Sequence, residues 1–320
     1  MYPLFNPEKQ HTLITAKSIS GAGLHTGIVT KMTLKPADPG FGYQFQRTDL
    51  PGKPLIKADC DFVMDTFRST TLSYQGANVC TIEHILAALV GSGIDNCLIQ
   101  VDGEEIPNID GSCAPFVHLI ETCGILEQEA NKFWYDLDGD ITFYDETRRV
   151  RMTAFPSVEY KISVTVDFKS MAMDTQTAEL RSMSEFKKEI APSRTYCFVH
   201  DLEMLLNHNR IQGDIAKNAI LIIDRPIGKK EMIRIAKKFN IKKFTVKKGG
   251  YLDNLDLRFE NEIARHKLMD MVGDLSLIGF PVRAQIIGKR PGHSSNIDFA
   301  KKIKKYILDQ KKRELLKQAV

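Results

Sequence analysis

Two apolar stretches, far apart in this chain of 320 residues, carry the same pattern. Residues 81–91 (TIEHILAALVG) and 263–273 (IARHKLMDMVG) both have helical spacing, and each places a histidine seven residues before a glycine and leads to a strand. A repeated helix–strand unit predicts two similar domains. If these domains face each other, His84 and His266 meet at their interface.

The rest of the sequence indicates the α+β fold class. Strand-like alternation opens each half, at residues 10–48 and 149–168, and helices then alternate irregularly with further strands. With 43% hydrophobic residues, the chain is long enough for two domains. We therefore predict an N-terminal domain at residues 1–130 and a C-terminal domain at residues 131–320, rather than one doubly wound sheet.

Charge and cysteine usage restrict the class of protein. The net charge is +4, with lysine clusters at 229–248 and 301–317. Each cluster is either a solvated helix face or a surface that attracts anionic substrates or membranes, and we expect a basic C-terminal helix from about residue 296. The six cysteines lack CxxC spacing, which is typical of free thiols in the cytoplasm. Because no run of 18 apolar residues occurs, we expect no membrane span, and we also expect no secretory signal and no nucleic-acid partner.

The second of the repeated stretches carries two metal-binding side chains on one helix face. His266 and Asp270 stand four residues apart, and an imidazole with a carboxylate suits a borderline metal such as zinc. His84 would be a third ligand if the two helices meet. Glu83 points about 100° away from it on the helix, where it would contact a metal-bound water. Three ligands with one open position are typical of catalytic zinc.

A further histidine follows the last predicted strand. His293 lies in a glycine turn (RPGHS), a position that suits a proton donor to a leaving group. Asp274, on the same helix face as His266, would hold His293 in its charged form. Four other histidines have no second ligand one turn away, and we expect structural or surface roles for His11, His118, His200 and His208.

Seven motifs occur in order along the chain. They lie at residues 21–27 (GAGLHTG), 81–89 (TIEHILAAL), 93–96 (GIDN), 110–117 (DGSCAPFV), 193–198 (SRTYCF), 265–275 (RHKLMDMVGDL) and 292–293 (GH). This run resembles the family of zinc-dependent UDP-3-O-acyl-N-acetylglucosamine deacetylases of lipid A synthesis in Gram-negative bacteria. The resemblance covers about residues 8–303. It implies that each of two similar domains is a β-sheet, with helices packed between the two sheets and the active site at the domain interface.

The resemblance also implies a metal and a base. Zinc would be held by His84, His266 and Asp270, with iron(II) as the alternative because two imidazoles and a carboxylate accept either metal. Glu83 would be the general base that activates water toward the acetamide carbonyl of the glucosamine.

Four further catalytic residues follow from the same resemblance. The hydroxyl of Thr195 would stabilise the oxyanion of the tetrahedral intermediate. His293, oriented by Asp274, would protonate the departing amine. Lys267 would contact the substrate, at its diphosphate or near the reacting centre.

The resemblance places the substrate's fatty chain in an apolar passage, because a hydrocarbon chain would otherwise be exposed to water. The passage would be formed by an insert at about residues 198–223. The implied substrate-binding residues are Tyr196, Phe198, Asp201, Leu202, Ile211, Ile215 and Ala219. The lysine-rich stretch at 225–252 is longer than in the commoner form of the family, and some relatives with this longer form are fused to a dehydratase.

Several alternatives stay open at this point. The chain is either a deacetylase of a UDP-linked acylated sugar or a catalytically silent relative that binds the nucleotide lipid precursor. A zinc peptidase is disfavoured because no HExxH signature occurs. His25 and Asp110 lie in motifs and are either functional or structural. We expect a monomer with a small-molecule substrate, and a peripheral membrane association is the alternative that the lysine clusters leave.

Overall fold

The computed structural model describes residues 8–168, 173–201, 218–238, 245–247, 250–252 and 256–318, with side chains as far as residue 312. The first part of the chain contains β1 (Lys9–Leu13), β2 (Lys17–Ala22), β3 (Val29–Pro36), β4 (Tyr43–Arg47), β5 (Leu55–Lys57), β6 (Val63–Asp65), β7 (Thr71–Tyr74), β8 (Ala77–Cys80), α1 (Glu83–Gly91), β9 (Cys97–Val101), α2 (Ala114–Cys123) and β10 (Ile125–Asn131). A 3₁₀ turn, Cys60–Phe62, precedes β6.

The second part contains β11 (Tyr135–Asp136), β12 (Ile141–Asp145), β13 (Val150–Pro156), β14 (Lys161–Val166), β15 (Gln176–Leu180), β16 (Tyr196–Phe198), β17 (Ile220–Ile222), α3 (Lys229–Lys238), α4 (Glu262–Ser276), β18 (Val282–Lys289) and α5 (His293–Gln318). Between β15 and β16, a 3₁₀ turn at Met183–Glu185 runs into a π-helix at Phe186–Ile190.

The two large sheets have the same topology. The strand order is β2-β3-β9-β4-β5 in the first sheet and β12-β13-β18-β14-β15 in the second, where β11 also pairs with β18. In each sheet the fourth strand in this order is parallel to the third, and the other neighbouring pairs along the order are antiparallel. In each half a helix, α1 or α4, directly precedes the central strand. The repeat that the sequence predicts is therefore a repeat of architecture.

The helices lie between these sheets. Helix α4 packs on β14 and β15 of the second sheet and directly on α1, while α1 packs on α2, which contacts β2 of the first sheet. The two glycines of the repeated pattern are both at close contacts. A Cβ on Gly273 would lie 2.0 Å from the carbonyl oxygen of Glu83, and a Cβ on Gly91 would lie 1.9 Å from the ring of Phe186. Each glycine thus permits an approach that a side chain would prevent.

One apolar core connects the two halves. Its buried members include Leu86 of α1 and Leu268 of α4, and its largest side chains are the rings of Phe45, Phe116, Phe186 and Phe299. Strand β18 shows why the core forms here, because its side chains alternate between buried positions and more exposed ones. The shared core fixes the position of α1 relative to α4.

The predicted α+β class with two similar halves is confirmed, whereas the boundary at residue 130 stays a prediction. One local expectation is corrected. His293 is the first residue of α5 rather than part of a loop, and this helix begins before residue 296. The hydroxyl of Ser295 accepts a hydrogen bond from the N–H of Gly292 (3.0 Å), and the N–H of Asn296 donates to the Gly292 carbonyl (2.8 Å). These bonds cap the helix one residue before His293.

Two other expectations concern the class of protein. Among the described residues, no helix combines the length and the apolar character that crossing a membrane requires. All six cysteines are free, as predicted, and burial raises the pKa of every one of these thiols, for example that of Cys97 to about 12.

Candidate metal and catalytic site

A pocket of about 170 Å³ opens where α1 meets α4. Residues from six separate parts of the chain line it: Leu24, His25, Arg68, Thr81, Glu83, His84, Thr195, Tyr196, His266, Lys267, Asp270 and His293. Most of its polar side chains come from the motifs noted in the sequence. The fold therefore brings widely separated motifs to one cavity.

Three buried side chains at the base of this pocket form a group that could hold a metal ion. One ligand atom from each of His84, His266 and Asp270 lies within 4.8 Å of the other two. The Nε2 atoms of His84 and His266 are 3.6 Å and 3.5 Å from Oδ1 of Asp270. The two imidazole rings are nearly perpendicular, at 86°, with their centroids 5.1 Å apart. Helix α1 supplies one ligand and α4 supplies two.

The chemistry of this donor set fits a metal. Oδ1 of Asp270 is fully buried and has no hydrogen-bond donor among the described residues, which is costly for a carboxylate oxygen unless a cation binds it. Nδ1 of His266 lies 3.2 Å from the carbonyl oxygen of Ser193, and donation to that oxygen leaves Nε2 with its lone pair toward Asp270. Burial lowers the pKa of His266 to about 3, so the ring is neutral at pH 7. Metal ligands require a neutral imidazole.

Asp270 is held in its charged form. Burial alone would raise the pKa of this carboxyl, but His266, Lys267 and His293 together lower it well below its usual range. Nζ of Lys267 lies 2.8 Å from Oδ2 of Asp270, and this ion pair also raises the pKa of the lysine. One carboxylate oxygen is thus paired with an ammonium, and the other remains available to a metal.

Glu83 is the first residue of α1 and lies beside these ligands. It is buried, and the backbone N–H of Thr70 donates a 3.0 Å hydrogen bond to its Oε2. Burial raises the pKa of Glu83, against the charges of His293 and His84. A carboxyl with a raised pKa accepts a proton more readily, which is what a general base at neutral pH requires.

His293 lines the pocket and forms a hydrogen-bonded pair with Asp274. Nδ1 of His293 is 2.9 Å from Oδ2 of Asp274, and Nε2 is 3.8 Å from Oδ2 of Asp270. Burial would lower the pKa of His293, but the charges of Asp274 and Asp270 raise it to about 9. Asp274 also accepts hydrogen bonds from Thr70 Oγ1 (2.6 Å) and Asn296 Nδ2 (2.8 Å). The imidazolium is therefore charged and fixed in orientation at neutral pH.

Thr195 lines the pocket. Its backbone N–H donates to the Gly111 carbonyl (2.7 Å), and its carbonyl accepts from the N–H of Ile220 (2.9 Å). Gly111 has a φ of +81°, and a Cβ there would lie 1.8 Å from the carbonyl oxygen of Asn218. Only glycine tolerates both conditions, so residue 111 fixes the place of Thr195.

Comparison with known proteins identifies the family. A model of the family described as UDP-3-O-acyl N-acetylglycosamine deacetylase matches residues 10–244 and 240–305. The chain belongs to this family. Its relatives include proteins of Chlorobaculum tepidum and Bacteroides thetaiotaomicron named "Bifunctional enzyme LpxC/FabZ", which are 41% and 42% identical over 93% of this chain. The chain covers only 64% and 65% of the length of these two relatives.

A shorter relative is covered more fully. The protein of Myxococcus xanthus named "UDP-3-O-acyl-N-acetylglucosamine deacetylase" is 35% identical over 92% of this chain, and the match covers 86% of its own length. The family resemblance inferred from the seven motifs is confirmed by these matches.

Only some of the substrate-binding residues that the family resemblance implies lie at the pocket. Tyr196 lines the pocket. Phe198 and Ala219 are buried in two separate apolar clusters around β16 and β17. Asp201 reaches the pocket through an ion pair with Arg68. The remaining candidates, Leu202, Ile211 and Ile215, lie outside the described residues, as does His208.

The two motif residues with open roles also differ from each other. Asp110 accepts hydrogen bonds from the N–H and hydroxyl of Ser112 (3.0 and 2.8 Å) and pairs with Arg258 (2.9 Å), which favours the structural alternative. His25 lines the pocket. Its loop is held by Glu105, a buried carboxylate that accepts from the N–H groups of His25 (2.9 Å) and Thr26 (2.8 Å).

Three residues of the site, Thr70, Glu105 and Arg68, were not predicted from the sequence. Thr70 connects Glu83 to Asp274, Glu105 holds the loop of His25, and Arg68 lines the pocket. None of them carries a recognisable local signal, because each acts through partners distant in the sequence.

A second group of possible metal ligands is less suitable. Asp59, Cys60 and Asp61 are consecutive residues on the 3₁₀ turn before β6. The ammonium of Lys304 pairs with both carboxylates, and burial raises the pKa of Cys60 to about 12. A protonated thiol and carboxylates already neutralised by a lysine are poor ligands.

Proposed function

We propose that this chain hydrolyses the N-acetyl group of UDP-3-O-(3-hydroxyacyl)-N-acetylglucosamine and releases acetate, the committed step of lipid A biosynthesis. One observation carries the proposal. In a member of the deacetylase family, a three-residue ligand group lies in one pocket together with a buried carboxyl and a charged imidazole. Metal-assisted hydrolysis of an amide uses these three functions together.

The proposed metal is zinc, bound by His84, His266 and Asp270. Two imidazoles and one carboxylate suit it, with iron(II) as the alternative for the same donors. When bound, the metal supplies a Lewis acid that polarises the amide carbonyl and makes water more acidic. Asp270 is ionised and His266 is neutral at pH 7, so neither of these two ligands must lose a proton on binding.

The proton transfers are assigned to two residues. Glu83 takes a proton from the water that attacks the acetamide carbonyl. His293, protonated at neutral pH and oriented by Asp274, gives its proton to the nitrogen as the carbon–nitrogen bond breaks. A raised pKa therefore serves both groups, because it makes Glu83 a better base and keeps His293 a charged acid.

Two further residues would stabilise charge. The hydroxyl of Thr195 is proposed to donate to the developing oxyanion, which is supported by its place on the pocket wall. Lys267 is proposed to contact the substrate, and its burial against Asp270 keeps it protonated and ordered.

The remaining assignments follow from the same proposal. Tyr196, Phe198, Asp201 and Ala219, with Leu202, Ile211 and Ile215, would bind the nucleotide sugar and its acyl chain, within an insert of the C-terminal domain. The domains would be residues 1–130 and 131–320. We place the reaction in the cytoplasm, which the six free cysteines support, and expect a monomer, with peripheral association with a membrane surface as the alternative.

The test is a deacetylation assay with UDP-3-O-acyl-N-acetylglucosamine of graded acyl length, on protein reconstituted separately with zinc and with iron(II). Acetate release that depends on the metal is expected, and the dependence on chain length reports the apolar passage. Stoichiometric metal binding without acetate release at any chain length would contradict the proposed activity and favour a silent binding protein.

A further inference from the structure

Each half of the molecule carries an insertion at the same point of its repeated topology. Between the fifth strand of the sheet order and the ligand-bearing helix, the first half inserts β6–β8 and the second half inserts the segment that contains β16 and β17. The first insertion forms a three-stranded sheet and the second contains a two-stranded sheet, so the two insertions differ in structure although the large sheets share one topology. Both reach the pocket, the first through Arg68 and the second through Tyr196.

An ion pair joins the two insertions at the pocket wall. Nη2 of Arg68, in the turn between β6 and β7, contacts Oδ1 of Asp201, just beyond β16. The side chain of Asp201 is 12% exposed, and its Oδ1 also lies 3.3 Å from Nε2 of His200. The carboxylate is therefore a fixed anchor for one end of the guanidinium.

The rest of the guanidinium is available to a ligand. An arginine carries five N–H donors, and Asp201 is the only ion-pair partner of Arg68 among the described residues. The side chain lines the pocket and is 33% exposed. Arg68 also has a φ of +68°, a left-handed conformation that costs a non-glycine residue energy and that clusters at ligand sites.

A second cation faces the same part of the pocket. Nζ of Lys267 lies 5.6 Å from the ring centroid of Tyr196. Arg68 lines the same pocket as Lys267 and Tyr196. Lys267 lies on α4 beside the ligand group, and Arg68 lies on the first insertion.

We propose that Arg68 binds the diphosphate of the substrate, with Asp201 as the positioning residue that aligns its guanidinium. The inference rests on the proposed function, since the diphosphate belongs to the UDP-linked sugar. The planar fork of a guanidinium matches two phosphate oxygens at once, whereas Lys267 offers a point charge. The phosphate subsite is thus formed where the two insertions meet at the pocket.

The experiment uses zinc-loaded full-length protein and three probes: UDP, UMP and uridine. Isothermal titration calorimetry compares the wild type with Arg68→Gln and Arg68→Lys. Loss of a charge-assisted bidentate contact should weaken UDP binding by about 10- to 100-fold in Arg68→Gln, while the Kd for uridine changes less than about twofold. Arg68→Lys keeps the charge without the fork and should lie between the wild type and Arg68→Gln.

Arg148→Gln is the matched control. Arg148 also pairs with aspartates, Asp145 and Asp298, but it does not line the pocket, and its side chain is 41% exposed. Its UDP affinity should equal that of the wild type. Thermal unfolding of each variant separates lost binding from lost folding.

Three results would overturn the subsite. They are no UDP binding by the wild type, UDP binding by folded Arg68→Gln within twofold of the wild type, or equal losses for UDP and uridine. Acetate release by the wild type is measured in parallel. If it is absent while UDP binding still depends on Arg68, the proposed function fails and the phosphate subsite stands.

Discussion

The two ligand-bearing helices occupy equivalent positions beside two sheets of the same topology, yet the pKa values of their buried carboxyl groups shift in opposite directions. Burial raises the pKa of Glu83 on α1, whereas three neighbouring basic side chains, those of His266, Lys267 and His293, lower the pKa of Asp270 on α4 despite its burial. Both side chains are almost completely buried and line one pocket. The opposite pKa shifts therefore arise from the neighbouring charged groups and not from the extent of burial.

This contrast assigns the roles. Asp270 has Lys267 beside it and two imidazoles facing its free oxygen, so it stays ionised and suits a cation. Glu83 receives one backbone N–H, from Thr70, and has no paired ammonium among the described residues. Two carboxyls whose environments separate their pKa values are what a site with one ligand and one base requires.

Removing a ligand should have the largest effect. His266→Ala on α4 and His84→Ala on α1 should each lower zinc affinity by more than about 100-fold and reduce acetate release to background, since a direct ligand matters more than its outer partners. Metal content by mass spectrometry and turnover are the measurements. His118→Ala, an exposed histidine on α2, is the control and should behave as the wild type. If only one of the two variants lost metal, the shared site would be wrong.

Removing the base should leave the metal in place. Glu83→Gln keeps the shape of the side chain but cannot accept the proton, and kcat should fall by about 100- to 10,000-fold with zinc content unchanged. Glu121→Gln makes the same change at the surface, where Glu121 pairs with Lys187 at 2.9 Å, and should not affect kcat. A wild-type kcat in Glu83→Gln would remove the distinction between the two carboxyls.

The charged imidazole predicts a pH-dependent stability in the metal-free protein. The pKa of His293 is raised from 6.5 to about 9, so its contribution is fully present below pH 6.5 and is lost as the pH rises to 9. Urea unfolding at pH 6 and pH 9.5 should show a larger loss in the wild type than in His293→Gln, by about 3 kcal/mol. Equal losses in the two proteins would mean that His293 is neutral in the folded state.

The contact between the helices should have the smallest effect. Gly273→Ala places a methyl group against the Glu83 carbonyl and should lower the free energy of unfolding by about 1–3 kcal/mol. Gly228→Ala, at a position with no atom within 4 Å, should cost less than about 1 kcal/mol because only a helix start is affected. Chemical denaturation compares them. Equal costs would show that α1 and α4 can separate without penalty.

Much of the fold was predictable because its signals are local. Apolar periodicity located α1 and α4, and alternation located β2, β3, β13 and β14. The start of α5 was misplaced because its cap depends on one hydroxyl, that of Ser295, which a glycine turn conceals in the sequence. The equivalent strand order of the two sheets could not be predicted from the sequence, because pairings such as that of β4 with β9 join strands that are distant in the chain.

The candidate site divides in the same way. His266 with Asp270, and Glu83 with His84, are recognisable because helical spacing alone brings each pair together. Thr70, which bonds Asp274 across 204 residues, and Arg68, which pairs with Asp201 on the other insertion, have no such spacing. Only packing reveals them.

By itself, the sequence determined the family, the α+β class and the side chains that would bind a metal and move protons, because helical spacing and ordered motifs are properties of the chain. The tertiary structure decided which carboxyl is ionised, which oxygen is left for a metal and which residues join the two insertions. These properties depend on burial and on charged groups that folding brings close together, and neither can be read from the order of residues in the chain.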